Sequence, residues 1–449
     1  MLSAIIRAFA PGPDAAPLSD RALIDRMFRH NRLMVMIAIT GGYGLAYTCR
    51  LALGVVKKPL IDAGIFSPAD LGLIGSAFFY TYAFGKLTNG FLSDHLNPRM
   101  FLAFGILVSA IINIAMGFNV VVWVAVLLWG LNGWFQSFGA PASVVGLSHW
   151  FSNHERGRYY GIWSTAHSIG EGLNFLVTGA IVGALGWQAG FWGPGVLCVL
   201  TALGCLYFMK DRPQTLGLPK VSVWRHDEWG QAPPPPPTIS LLKTQISILA
   251  MPAVWILAVS SALMYVTRYA INSWGVLYLQ EGRGYSLAEA TGLLTINTIT
   301  GIVGAIAFGY VSDKFFKARR PPANLIFGLM EIAGLLIIFF GPTNVWVLSA
   351  GLALFGLGLT GLVTSVGGLF ATDICPKRVS GAALGAIGVF SYLGAAVQEN
   401  ISGGLIEAGM KTVDGVKSYD FGPAILFWIG CSVVSLVLAT SLWNVKLRD

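Results

Sequence analysis

Seven ionisable side chains fall inside stretches otherwise apolar enough to be membrane helices: Arg50, Lys86, His167, Glu171, Arg268, Glu331 and Glu399. A charge left in hydrocarbon costs roughly 3 kcal/mol or more, so each must face water, a partner or a ligand. Arg50 and Arg268 are the most informative, because 218 positions separate them and, as shown below, the chain repeats at almost that interval. Tyr43 and Tyr47 precede Arg50 by seven and three residues, while Tyr265 and Asn272 flank Arg268 at minus three and plus four. Each arginine therefore shares a helical face with its companions. Two guanidiniums turned to one cavity make a planar fork suited to a doubly charged oxyanion, phosphate above all. The competing reading pairs each arginine structurally with Glu171 or Glu399.

His167 and Glu171 stand at i and i+4, and with Asn174 they form a polar stripe on one face. Histidine changes charge near neutral pH and could follow the protonation of a bound phosphate; a plain core histidine is the alternative. Lys86 lies four residues before Gly90, near a helix end, where snorkelling or pairing at a gate competes with substrate contact. Glu331 has no polar companion in the sequence around it. No nucleophile–base pair, phosphate loop or metal cluster is visible, so no enzyme, cofactor or metal is expected. Cys49, Cys198, Cys205, Cys375 and Cys431 are scattered without CxxC spacing and read as small apolar residues.

The elements that must carry these residues are long apolar helices. Of 449 residues, 55% are hydrophobic and 11% charged, with a mean hydropathy of +0.67. A soluble domain carries roughly 25% charged residues, so a soluble enzyme is excluded, as is a disordered chain. Twelve segments are long enough to span a bilayer: 33–56, 68–92, 100–118, 121–144, 157–185, 188–209, 248–279, 287–311, 322–341, 344–370, 379–408 and 422–444. The expected fold is all-α, twelve transmembrane helices in two pseudo-symmetric six-helix halves.

The basic residues set the orientation. Of 29 Lys and Arg, 21 fall in the termini and even-numbered loops, and five in odd-numbered loops: Lys57, Lys58, Arg283, Lys411 and Lys417. Arg50, Lys86 and Arg268 lie within spans. Both termini are thus expected in the cytoplasm of a multi-pass protein of the cell (inner) membrane. The asymmetry also accounts for the net charge of +8 without nucleic acid. Residues 1–32 form a cytoplasmic N-terminal segment, its apolar run too short and proline-broken for a signal peptide. The N-terminal half is 33–209, the C-terminal half 248–444 and the cytoplasmic tail 445–449. Between the halves, 210–247 is a cytoplasmic linker stiffened by Pro233 to Pro237.

The halves are related in sequence. Gly90, Asp94 and Arg99 follow the second span; Gly309, Asp313 and Arg319 follow the eighth, with both glycines and both aspartates 219 positions apart. A glycine allows close helix approach, and an aspartate at a helix end can cap or pair with a nearby arginine. This repeated motif resembles the signature loop of the major facilitator superfamily. The resemblance implies two halves rocking about a central site, with these six residues and Lys86 at the gates.

Five strings carry the resemblance further: GGYGLAYTCR, HWFSNHERGRYYGIWSTAHSIG, YFMKDRPQTLGLPKVSVWRHD, MYVTRYAINSWGVLYL and FSYLGAA. They resemble the organophosphate:phosphate antiporter family, whose members transport or sense glycerol phosphate and hexose phosphates, and the likeness runs from about 30 to 440. It implies that Arg50 and Arg268 grip a phosphoryl group and that His167, Tyr43, Tyr47, Tyr82, Tyr265 and Tyr392 line the site. The chain departs from the family at Leu51, where a lysine is usual, at Ser273 and Thr298, where acids are usual, and at Thr360-Gly361-Leu362, where the family has Tyr-Gly-Pro. Glu171 replaces a glycine, and Glu399 is an added carboxylate. On this reading the cavity has lost a cation and gained up to two acids.

The expected function is exchange of a phosphorylated small metabolite for inorganic phosphate by a monomer in the lipid bilayer. Two alternatives stand beside it. One is a proton-coupled carrier of a zwitterionic or neutral small molecule, such as an amino-phosphonate or a polyol, using Glu171 and Glu399. The other is a sugar-phosphate sensor acting on a membrane sensor kinase.

Overall fold

The helix starts are written in the sequence. Asp20, Ser67, Asn97, Ser286 and Asn344 each accept a hydrogen bond from a backbone N–H in the first turn of the helix that follows, satisfying one of the donors that a helix start leaves without a partner. The structure, a computed structural model, describes residues 9–227, 250–317, 319–375, 380–413 and 416–445. The Pro233 to Pro237 run and most of the expected tail lie outside them.

In chain order the helices are α1 (Arg21–Asp62), α2 (Pro68–Ser93), α3 (Pro98–Met116), α4 (Val122–Gln136), α5 (Gly139–Trp150), α6 (Asn153–Leu185) and α7 (Ala189–Phe208). The second group is α8 (Pro252–Glu281), α9 (Leu287–Phe316), α10 (Arg320–Phe340), α11 (Val345–Leu369), α12 (Ser380–Ala408) and α13 (Gly422–Ser441). A two-stranded antiparallel hairpin, β1 (Met410–Val413) with β2 (Val416–Tyr419), joins α12 to α13. Helix thus lies over every one of the twelve expected segments. Eight helices among the described residues are long and apolar enough to cross a membrane: α3, α6, α7, α8, α9, α10, α11 and α13. The fourth expected span is broken into α4 and α5 at Ser137-Phe138. The first is diluted by Arg50 and Lys57.

The two groups of helices meet along α2–α12, α1–α8 and α6–α9. Small residues make this possible. A Cβ on Gly72 would fall 2.5 Å from the Glu399 carbonyl oxygen, and one on Gly403 would fall 2.5 Å from that of Pro68. A Cβ on Gly54 would meet the Asn272 carbonyl at 3.1 Å, bringing α1 against α8 beside Arg268.

The seal between the halves sits at one end, that of the β-hairpin. There Lys58 of α1 pairs with Glu281 of α8, and Lys417 donates to the Ile61 carbonyl. Glu407 of α12 accepts from Ser67 Oγ at 2.6 Å and from the Ala69 N–H at 2.7 Å, capping α2. At the other end, that of the N-terminal segment and Trp443, no ion pair joins the halves among the described residues. Gly161 of α6 and Gly367 and Gly368 of α11 border open space there. The halves are pinned together at the hairpin end.

Candidate functional site

Arg50 lies mid-way along α1, and neighbouring helices hold that stretch of backbone by polar side chains. Asn113 of α3 and Asn132 of α4 both donate to the Cys49 carbonyl at 3.1 Å, and Gln136 donates to that of Ala46 at 2.9 Å. Ser109 bridges Asn132 and Gln136, and Asn174 of α6 donates to the Leu51 carbonyl at 3.3 Å. The face of α1 carrying Arg50 is therefore fixed by bonds that lipid cannot compete for. Asn174 apart, none of these anchoring residues stands out in the sequence; the signal they carry is an amide in an apolar span.

The guanidinium of Arg50 is held between two rings, its Cζ 4.3 Å from the centroids of both Tyr47 and Tyr82. Arg50 is 3% exposed, and none of its three guanidinium nitrogens has a hydrogen-bond partner among the described residues. Cation–π contact covers the group, but its N–H donors remain unspent. Tyr43 packs edge-on against Tyr47 at 5.4 Å. Tyr392 of α12 meets Tyr82 at 4.3 Å and Tyr265 at 5.5 Å, closing a cluster that crosses the two halves.

Arg268 is placed differently. It lies in the last turn of a regular stretch of α8, two residues before a π-helical turn at Ala270–Trp274, a local widening that frequently marks functional positions. A second π turn, Asn174–Thr178, follows Glu171 in α6. Arg268 and Glu171 form a buried ion pair across the halves. The structural pairing weighed in the sequence thus holds for Arg268 and not for Arg50. Arg268 also lies 5.6 Å from the Tyr265 ring and 5.7 Å from that of Tyr269, the latter a neighbour not predicted. His167, Glu171, Arg268, Asn272, Asn297 and Thr298 line one cavity. Arg50, Phe79, Tyr269, Asn272, Ser273 and Glu399 line a second, so Asn272 stands on both.

Glu399 pairs with neither arginine. It accepts from Lys57 Nζ at 3.0 Å, and Lys57 also donates to Ser273 Oγ at 2.8 Å and lies 3.2 Å from the Trp274 ring. Lys57 is 0% exposed and lies within α1, which corrects its placement in an odd-numbered loop. Leu51 itself lines the second cavity, as expected from the sequence, and Lys57 bonds two residues of that lining, Ser273 and Glu399. Its partner lies 342 positions away, so only the i+7 spacing from Arg50 could have suggested it.

Lys86 reaches across to α12, its Nζ 5.3 Å from the Tyr392 ring and against Gly388. At the signature loops, Gly90 and Gly309 face open space, and Asp94 is exposed at the end of α2. Asp313 pairs with Arg320 at 2.8 Å, not with Arg319. Arg320 begins α10 and also bonds Asp373 and Ser312, whereas Arg319, one residue earlier, turns to the Trp443 carbonyl. Arg99 sits in the first turn of α3. Glu331 finds the companion its neighbourhood in sequence lacked: Ser432 of α13 donates to it at 3.0 Å.

Two helical halves enclosing a cation-bearing cavity, sealed at one end, define a membrane carrier fold. The chain belongs to the major facilitator superfamily, whose model matches residues 33–398, and within it to the organophosphate:phosphate antiporter family. It is a multi-pass membrane protein of a family of transporters, not enzymes. It is 34% identical to the membrane sensor protein UhpC of Salmonella typhimurium (strain LT2) over 87% of this chain and 89% of that protein. It is 30% identical to a probable hexose phosphate transport protein of Chlamydia trachomatis serovar D, covering 98% of this chain and 96% of the relative. Identity to the glycerol-3-phosphate transporter of Bacillus subtilis (strain 168) is 31%, over 99% of both. Among solved structures, a bacterial homologue of the human lysosomal transporter Spinster superposes with a TM-score of 0.71 at 17% identity, over 92% of this chain and 96% of that one. That likeness shows the fold.

Proposed function

We propose that the protein is a secondary carrier that exchanges a phosphorylated small metabolite, of the sugar phosphate or glycerol phosphate type, for inorganic phosphate. The observation that carries this reading is the Arg50 guanidinium, buried, wedged between two tyrosine rings and with every nitrogen unpartnered. A buried donor set of that kind is costly unless a ligand completes it, and a phosphoryl group supplies matching acceptors bidentately. Arg268 adds a second guanidinium from the other half, shared with Glu171. Relatives named as hexose phosphate and glycerol-3-phosphate transport proteins support the substrate class. The excess of Lys and Arg at the terminal end supports a cytoplasmic placement of that end, which puts the hairpin-end seal on the opposite side of the membrane. The two acids on which a proton-coupled reading rests are both spent in ion pairs, with Arg268 and with Lys57, so exchange is favoured over proton coupling. Proteoliposomes loaded with inorganic phosphate test this: labelled phosphate or glycerol 3-phosphate should enter by counterflow without a proton gradient. Uptake that requires a proton gradient and ignores internal phosphate would refute it.

A sensor reading has its own observation. At the terminal end, residues 9–32 and 210–227 are knitted together: Arg212 pairs with Asp14, Trp224 Nε1 donates to Asp25 at 2.6 Å, and Phe28 stacks on Trp224 at 4.2 Å. Arg32 of α1 and Arg225 both pair with Glu155 of α6. This built surface, together with the likeness to a membrane sensor protein, favours contact with a membrane kinase as the second reading. Binding of sugar phosphate without counterflow would support it.

A further inference from the structure

We infer that Lys57 is a further anion-binding group beside Arg50 and Arg268, masked by Glu399 in this conformation and uncovered when the hairpin end opens. The inference rests on the carrier reading above. Lys57 lies seven residues beyond Arg50 on α1, two turns or about 10 Å along the same face. Between them runs the cavity lined by Arg50, Gly54, Ser273 and Glu399. All three of the lysine's donor directions are occupied from the opposite half: by Glu399 of α12, by Ser273 of α8 and by the Trp274 ring. The Glu399 carboxylate in turn is pressed into α2, where a Cβ on Gly75 would fall 2.9 Å from it.

Opening the hairpin end moves α8 and α12 away from α1 and α2, because those contacts form the seal. Lys57 then stays with the first half, while Glu399, Ser273 and Trp274 leave with the second. An ammonium stripped of its counter-ion at the edge of a cavity attracts an oxyanion. The phosphoryl group of an entering ligand would meet Lys57 first and Arg50 two turns deeper. On reclosure Glu399 takes the lysine back and displaces the ligand inwards. Lys57 thus acts from the hairpin side alone.

That sidedness is the test. Full-length protein in oriented proteoliposomes is assayed for exchange of radiolabelled inorganic phosphate, with half-saturation measured separately on each face. The double variant Lys57→Gln/Glu399→Gln keeps the node neutral; it should raise half-saturation on the hairpin face about tenfold and leave the terminal face within about twofold. Glu399→Gln alone should lower half-saturation on the hairpin face, and Lys57→Arg should preserve the asymmetry. Equal changes on both faces, or none on the hairpin face, would overturn the inference, since a merely structural pair has no side. If the double variant is not monodisperse after purification, Glu399→Gln alone decides. If wild-type protein exchanges no phosphate compound from either face, the carrier reading itself fails, and the role of Lys57 falls with it.

Discussion

Arg50 and Arg268 occupy equivalent places in the two halves but differ in what they cost the folded protein. Arg50 is buried with its donors unspent, so the fold gains little from its charge. Arg268 satisfies the buried carboxylate of Glu171. Removing one partner of a buried pair strands the other and costs about 3 kcal/mol or more. Arg268→Leu should therefore lower the melting temperature clearly, while Arg50→Leu should leave it unchanged or raise it; differential scanning fluorimetry separates the two. Both Arg50→Lys and Arg268→Lys should abolish exchange in protein that still inserts, because lysine keeps the charge but not the planar fork. Wild-type uptake by either would show that planar geometry is not what the site uses. Glu171 holds Arg268 where a phosphoryl group would bind, so Glu171→Gly should tighten inorganic phosphate by about tenfold and weaken any ligand carrying an ammonium. Titration calorimetry with phosphate and an amino-phosphonate reads both signs. Identical responses of the two ligands would remove Glu171 from the site.

At the scale of elements, α1 is held as a positioned rod by amides of α3 and α4. Gln136→Leu should remove the bond to the Ala46 carbonyl at a cost of about 1 kcal/mol. It should depress phosphate affinity through loss of Arg50 alignment, with α1 still helical by circular dichroism. An affinity equal to wild type would mean that packing alone aligns the helix. This is also where the sequence is legible and where it stops. Apolar length marks the helices because it depends on neighbouring residues alone. The repeat aligns Arg50 with Arg268 because it compares the chain with itself. The pairings Glu171 with Arg268 and Lys57 with Glu399 cross 97 and 342 positions, and no local spacing encodes them. Lys57 was misplaced for a physical reason: Lys57, Lys58 and Pro59 together look like the wet end of a span, and only the carboxylate from α12 makes burial of the first affordable. Arg320 takes the place expected of Arg319 at the signature loop: it begins α10 and pairs with Asp313.

For the molecule as a whole, the seal at the hairpin end sets the balance between its two openings. The contacts there join the halves in this conformation: Lys58 with Glu281, Glu407 with the start of α2, and Lys417 with the end of α1. Weakening one of them raises the free energy of this conformation alone and shifts the population towards its opposite. Glu407→Ala deletes an acceptor shared by Ser67 and the Ala69 N–H, a loss of about 1 to 2 kcal/mol and hence roughly fivefold or more in the equilibrium. Gly161→Cys, at a position bordering open space at the terminal end, reports the change. In a background with Cys431, the least buried native thiol among the five, changed to Ser, a membrane-impermeant maleimide applied to the terminal side should label Gly161→Cys readily. Adding Glu407→Ala should slow that labelling several-fold, and saturating inorganic phosphate should change the rate again as the carrier cycles. Asp313→Asn, which loosens the ion pair with Arg320 at the terminal end, should slow exchange without weakening equilibrium phosphate binding, since the pair lies outside both cavities. Labelling unaffected by Glu407→Ala would mean that the hairpin-end contacts do not govern the balance, and the closing force would then have to lie in the α2–α12 glycine packing instead.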